Sequence, residues 1–304
     1  MSLLVTGSIG IDTVETPFGK RDNVVGGSAV YFAYAASFFT PVRLVGVVGP
    51  DYPIDLKVLL AAQPVDTQGL EIRPGSKSFR WHGSYVADMN NAQTVTVDLN
   101  VLAEQAPKIP TSYLDSTHVF LANTHPKLQQ DMRASLKHAK LVVADTMNLW
   151  IDTSRKELLD TLKVIDGLVL NDGEAKLLTG EKNMIVAARK VLGLGPKFVV
   201  IKKGEHGSLL ASRIEGSEEF FVLPAFPAEK VVDPTGAGDS FAAGMMGYLA
   251  TQSVLSNSVI RRAMAYGTVV ASFTISDFSL DGLRATSRQQ IEKKYEALKG
   301  VTGF

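Results

Sequence analysis

The sequence predicts an α/β fold: a mostly parallel sheet covered by helices on both faces, with a small antiparallel sheet attached. Three observations predict it. Short runs rich in Val, Leu, Ile and Phe recur without polar–apolar alternation, the pattern of strands buried on both faces. Helix candidates lie between these runs, as in successive βα units. Two segments, 11–25 and 77–100, break that order and read as extended, half-exposed chain.

The buried strand candidates are 3–5, 42–48, 118–121, 141–144, 167–170 and 198–201. The helix candidates between and after them are 29–39, 126–138, 155–162, 173–178, 185–192, 240–250 and 256–273. A polar, charged helix is expected over 284–304, and a short strand at 230–232 ahead of a Gly-rich turn. Segment 11–25 is polar and extended, whereas 79–86 and 92–98 alternate polar with apolar residues, as half-exposed antiparallel strands do. A small sheet made from them would cover a site as a lid. A pair of surface hairpins with no further role fits the same pattern. An exposed edge on such a sheet would suit pairing with a second copy, so a homodimer through the lid is one expectation. No repeat, low-complexity tract or long linker interrupts the 304 residues, and one domain over 1–304 is expected.

Composition excludes several classes. Lys+Arg and Asp+Glu both number 31, so no net charge draws nucleic acid or an anionic membrane, and neither is expected as a partner. The absence of cysteine removes disulfides, thiolate metal ligands and Cys nucleophiles, and fits a cytoplasmic protein. The start, Met1-Ser-Leu-Leu-Val-Thr-Gly7, runs into a strand with no basic region and long apolar stretch, so a signal peptide is not expected. No apolar run approaches the roughly 20 residues that span a bilayer. His82, His118, His125, His138 and His206 show no close metal-ligand spacing; His82, in the lid segment, is the one nearest to a site.

The run Asp233-Pro-Thr-Gly-Ala-Gly-Asp239 carries the chemistry. Its small residues let backbone approach a ligand closely. A helix beginning at Gly238 or Asp239 would present unpaired N–H groups and the positive end of its dipole to an anion. Gly236, Ala237 and Gly238 would then form an anion hole for a transferring phosphoryl group. Asp239, beside it, could take the proton of an attacking hydroxyl as general base. On position alone a helix N-cap is the simpler reading of Asp239, and the two roles are compatible. Other nucleotide motifs are missing. No Gly-x-x-x-x-Gly-Lys-Ser/Thr occurs, and neither Gly236-Ala-Gly238 nor Gly7-Ser-Ile-Gly10 completes a dinucleotide fingerprint.

With these residues the chain resembles the ribokinase-like, or PfkB-type, carbohydrate kinases over nearly its whole length. Four pieces occur in the family's order: Gly26-Gly27-Ser28-Ala29, Asn171-Asp-Gly-Glu174, Lys202-Lys-Gly-Glu-His-Gly207 and Asp233-Pro-Thr-Gly-Ala-Gly-Asp-Ser-Phe241. The resemblance implies a three-layer α/β/α domain with a small β-sheet lid. It implies transfer of the ATP γ-phosphate to a hydroxyl of a sugar, nucleoside or related acceptor, with Mg²⁺. Asp239 matches the family's base and Gly236, Ala237 and Gly238 its anion hole. Asn171 and Glu174 match the motif that organises Mg²⁺ and phosphates, Glu174 acting through water; alone, Glu174 would read as an exposed first-turn helix residue. Asp12 matches an acidic residue that binds acceptor hydroxyls, beside Gly26, Gly27 and Ser28, although Asp12-Thr13 also fits a turn. Lys203, Gly204, Gly207 and Thr235 would border the nucleotide, and Asp233 with Thr235 would contribute to a K⁺ site.

Some residues depart from the family pattern. The paired glycines lead into Ser-Ala-Val-Tyr-Phe32 without the Asn of ribokinase, and Asp145-Thr-Met-Asn148-Leu-Trp150 has Trp where Arg is frequent. Lys203 precedes Gly204 where Thr or Ser is common. Phosphoryl transfer is untouched by these changes, but ribose as the acceptor is not supported. Lid residues Arg80, Trp81 and Tyr85 could stack on a ring or meet an anion, or simply pack. The expected function is an ATP-dependent sugar kinase. A nucleoside kinase, or a nucleotide- or sugar-binding sensor without catalysis, remains open.

Overall fold

The structure is a computed structural model, and it describes residues 2–302. Its strands, in chain order, are β1 (Leu3–Thr6), β2 (Gly10–Thr16), β3 (Gly19–Gly26), β4 (Val42–Val48), β5 (Val65–Ile72), β6 (Phe79–Ser84), β7 (Gln93–Asp98), β8 (His118–Leu121), β9 (Leu141–Asp145), β10 (Gly167–Asn171), β11 (Phe198–Lys202), β12 (Ser208–Ser212) and β13 (Glu219–Leu223). The helices are α1 (Ser28–Ala36), α2 (Leu56–Leu60), α3 (Pro126–Ser135), α4 (Asn148–Thr153), α5 (Arg155–Leu162), α6 (Asp172–Thr179), α7 (Met184–Leu192), α8 (Ala237–Leu249), α9 (Asn257–Thr274), α10 (Asp281–Arg284) and α11 (Arg288–Thr302).

Nine strands form the large sheet, in the order β13-β12-β11-β10-β9-β8-β1-β4-β5. Strands β11 through β5 in that order are parallel, and β12 and β13 extend the sheet antiparallel. The continuous apolar runs are explained by two cores. Leu3, Val5, Phe198 and Val200 face one core with α1, α8 and α9. Leu4, Val199 and Ile201 face the other with α3, α5, α6 and α7. Alternate side chains thus bury on opposite faces, each contributing about 1.5–3 kcal/mol of transfer free energy.

The two irregular segments form a second sheet of four strands, in the order β3-β2-β6-β7. Strands β2 and β3 make an antiparallel hairpin, β2 lies parallel to β6 with Asp12 opposite Trp81, and β6 pairs antiparallel with β7. One face of this sheet packs on the body through Val14, Tyr85, Val232 and Phe278, with Trp81 and Met89 against them.

The structure corrects several boundaries. Residues 230–232 are not a strand: the Val232 N–H donates to Ile275 O across a loop (2.8 Å), and no ladder forms. Helix α1 stops at Ala36, three residues short of the expected end, and α3 stops at Ser135. Strands β5, β12 and β13 and helices α2, α4 and α10 were not anticipated. The last helix begins at Arg288, and residues 303–304 of the expected 284–304 helix lie outside the described residues.

Candidate active site

The parallel strands place their carboxyl ends along one edge of the large sheet, where side chains from distant parts of the chain meet. Helix α8 starts there. Gly236 caps it in the left-handed region (φ +75°), and any side chain at that position would overlap the Tyr31 ring. The first helical bond runs from the Ser240 N–H to Gly236 O, and the Ala237 N–H turns back to Pro234 O. Among the described residues, no acceptor takes the N–H of Gly238 or Asp239. Two free donors at a helix start make an anion site. Asp239 is the third residue of α8, so the N-cap reading does not hold: the cap is Gly236, without a side-chain bond.

Around Asp239 stand three charged groups. Asp145 ends β9 and is buried; Lys202 ends β11, with its Nζ 3.4 Å from Asp145 Oδ2. Glu174 lies in the first turn of α6 and is 7% exposed, not the solvent-facing residue its position alone suggested. It forms a capping box with Asn171: Asn171 Oδ1 accepts the Glu174 N–H (2.7 Å) and Glu174 Oε2 accepts the Asn171 N–H (2.6 Å). Burial raises all three carboxyls. Asp239 is pushed up to about 7, first by burial and then by the Asp145 charge, against the pull of Lys202. Glu174 is pushed up to about 8 by burial and by Asp145. Asp145 is also raised by burial, which Lys202 opposes.

The small sheet supplies the facing wall. Asp12 is 4% exposed on β2, and its Oδ1 has no hydrogen-bond partner. Burial, then the charges of Asp233 and Asp239, push its carboxyl up to about 8. A side chain on Gly26 would overlap that carboxylate, so the glycine leaves it room. Gly27, at φ +94°, turns the chain from β3 into α1. Ser28 holds this junction: its N–H donates to Ser8 Oγ (3.0 Å) and its hydroxyl to Asn123 O (3.2 Å). Tyr31, Tyr52 and Tyr85 all lie within the field of Asp12, and burial raises each phenol. The Tyr52 hydroxyl donates to Gly10 O (3.1 Å), and Trp81 meets Tyr85 edge to face at 6.4 Å. Arg80 points away, to Asn23 and Asp51. His82 Nε2 lies 3.3 Å from Glu15 Oε1, a contact made within the small sheet.

The remaining expected residues form two loops. Asp233 is fully buried; its Oδ1 accepts the Thr235 N–H (2.8 Å) and its Oδ2 the Ser279 N–H (3.1 Å). The Thr235 hydroxyl is 3.4 Å from the Tyr85 hydroxyl. On the other rim, Lys203 and Gly207 close a turn in which the Lys203 N–H donates to Gly207 O (2.7 Å). Gly204, at φ +52°, lies directly under Asn90, the tip of the β6–β7 loop, and Asn90 Nδ2 donates to Glu205 Oε1 (3.1 Å). The small sheet thus reaches across to the Gly204–His206 turn.

Sequence reasoning missed Asp145 and Lys202 as site residues, and Tyr31 and Tyr52 beside Asp12. A signal was present for the first two. Each is a charged residue one position past the end of an apolar strand candidate, which is where a parallel sheet collects its ligand contacts.

A sequence profile described as pfkB family carbohydrate kinase matches residues 13–283. The chain belongs to the PfkB family of carbohydrate kinases. Within the family, it is 32% identical over 252 residues to a cytidine kinase of Thermococcus kodakarensis, covering 81% of this chain and 87% of that one. The PfkB fold recurs in a Burkholderia thailandensis nucleoside kinase in complex with inosine (TM-score 0.78, 20% identity, 98% and 99% of the two chains). It recurs also in a candidate ribokinase II of Escherichia coli in complex with ATP and Mg²⁺ (TM-score 0.77, 18% identity, 97% and 99%). At those identities the two structures show the shared ribokinase-like fold alone. The chain is therefore an enzyme, a PfkB kinase whose relatives act on sugars and nucleosides. No helix among the described residues is long and apolar enough to cross a membrane.

Proposed function

We propose that this PfkB kinase transfers the γ-phosphate of ATP to a hydroxyl of a neutral ribosyl acceptor, a nucleoside in the first instance. The observation that carries the reading is the pairing of Asp239 with two free helix-start N–H groups opposite Asp12, whose Oδ1 is buried without a partner. Asp12 Oδ1 lacks a hydrogen-bond partner, and an acceptor hydroxyl, which both donates and accepts, supplies one. Asp239 takes the proton of the attacking hydroxyl. The acceptor oxygen bonds to the γ-phosphorus, the bond to the β–γ bridging oxygen breaks, and ADP leaves. The Gly236–Gly238 backbone meets the charge on the phosphoryl oxygens.

The acceptor pocket also argues about charge. The side chains whose charge acts on Asp12 are Asp233 and Asp239, both acidic. A sugar acid would bring a further negative charge into that field, whereas a neutral diol would not. Trp81 and Tyr85 offer aromatic faces near the pocket, and the similarity to a cytidine kinase agrees with a base-bearing acceptor.

Mg²⁺ fits the donor set. Glu174, with one oxygen held by the Asn171 N–H, and Asp145 offer hard carboxylate oxygens near the helix start, and among the described residues no three acidic or His side chains enclose an ion. Such a site suits an ion that takes most ligands from phosphate and water, and whose chemistry is to neutralise the phosphates. The Lys203–Gly207 turn borders the nucleotide. A K⁺ ion would sit beside the Asp233–Thr235 loop on backbone carbonyls, since both Asp233 oxygens already accept N–H groups. The whole of 1–304 acts as one kinase unit, with the small sheet as its lid.

An ATP-consumption screen tests the acceptor. Cytidine, inosine and adenosine are expected to be turned over, with ribose weaker and sugar acids such as ketodeoxygluconate weakest. Turnover of a sugar acid with no turnover of any nucleoside contradicts the reading.

A further inference from the structure

Strand β11 ends in Lys202, whose side chain is 17% exposed and crosses the strand ends to Asp145. The same ammonium lies flush against the first turn of α8: a Cβ on Gly238 would stand 2.8 Å from its Nζ. That turn carries the free N–H groups of Gly238 and Asp239. Lys202 therefore shares one small volume with the anion site. Among the described residues it is the cation whose charge acts on Asp239, opposing that of Asp145. Burial works against an ammonium here, yet Asp145, Glu174 and Asp239 outweigh it and hold Lys202 above its ordinary value.

A stabilising role explains this poorly. The pair with Asp145 is long at 3.4 Å, and both partners are largely withdrawn from water. A buried pair of that kind is often no better for stability than apolar residues of the same volume. Three carboxylates around one ammonium suit a site that waits for an anion and its metal, because the cation can turn from Asp145 to an incoming oxygen without leaving the cluster.

We propose that Lys202 is a catalytic residue of the transfer, its ammonium contacting the non-bridging oxygens of the phosphoryl group alongside the Gly238 and Asp239 N–H groups. The proposal rests on the kinase reading above. Lys202 forms no bond and exchanges no proton: the acceptor proton still goes to Asp239, and the lysine offsets charge on the three peripheral oxygens as the phosphorus moves between the two bridging ones. Gly238 is part of the device, because only a residue without a side chain lets the ammonium lie against the helix start.

The experiment compares Lys202→Met with the wild-type full chain. The expected result is a fall in kcat of about 10²–10³-fold, as for loss of one oxyanion donor. KM for both substrates and the Kd of ADP should stay within about threefold, since a contact made only in transfer does not alter ground-state binding. The Kd of ADP with aluminium fluoride, which mimics the phosphoryl in flight, should weaken by the same factor as kcat. Lys202→Arg, which keeps the charge, should recover at least about tenfold over the Met variant. Two results overturn the proposal: kcat of Lys202→Met within about threefold of wild type, or equal weakening of ADP and of its fluoride complex, the mark of a disturbed fold. If Lys202→Met does not fold, Lys202→Gln takes its place with the same readings. A wild-type protein that phosphorylates nothing counts against the kinase reading; an active wild type with an indifferent Lys202→Met counts against Lys202 alone.

Discussion

Asp12 and Asp239 face one cleft and both are raised, to about 8 and about 7. A general base must be ionised, so activity should fall as pH drops through its pKa. We expect kcat/KM of the free enzyme to rise with pH up to a bend near 7, set by Asp239. The pH profile of the rate with ATP and acceptor both well below their KM checks this, and a flat profile between pH 5 and 8 contradicts it. The place of Asp239 at a helix start was legible in the sequence because its motif is contiguous: glycines, helix start and carboxylate fall within seven residues. Asp145 and Lys202 were not, because they come from separate strands 57 positions apart and meet only through the register of β9, β10 and β11. Asp12 was identified by resemblance, and its unpartnered oxygen is a property of the folded site that no local pattern carries.

The elements divide in the same way. Strands with short runs of Val, Leu, Ile and Phe, three to seven residues long, were readable, and so were helices with caps such as Asn171 and Asn183. The β12–β13 hairpin was missed because its strands add to the sheet edge through pairing with β11, a long-range choice. Residues 230–232 misled because a Val pair carries strand propensity, while Pro227 and Pro234 and the bond to Ile275 keep the segment a loop. The segments that form the small sheet were recognised, but the β2–β3 hairpin within 11–25 and the reach of the β6–β7 loop were not foreseen. Asn90 at the tip of that loop rests over Gly204 and bonds Glu205, so the small sheet touches the Gly204–His206 turn. Asn90→Ala should loosen that closure. We expect KM for the acceptor to rise about 3–10-fold with a smaller change in kcat, in keeping with the loss of about one hydrogen bond. Steady-state kinetics at saturating ATP measures it, and an unchanged KM would separate the loop tip from function.

Across the molecule, the parallel strands bring Asp145, Asn171 and Lys202 to one edge, and the small sheet brings Asp12 over it. The two cores on either side hold these ends rigid, so the charged cluster is positioned by packing that lies far from it. Burial of that cluster explains the raised carboxyls and the need for compensating cations, Lys202 within the chain and Mg²⁺ from outside. In the proposed mechanism Asp239 is the base. Turnover of Asp239→Asn with ATP and the best acceptor is the deciding measurement, with folding verified by thermal melting. The isosteric change removes the proton acceptor and leaves the helix start intact. A fall in kcat of about 10²–10⁴-fold is expected; near-normal turnover in a folded Asp239→Asn protein contradicts the assignment.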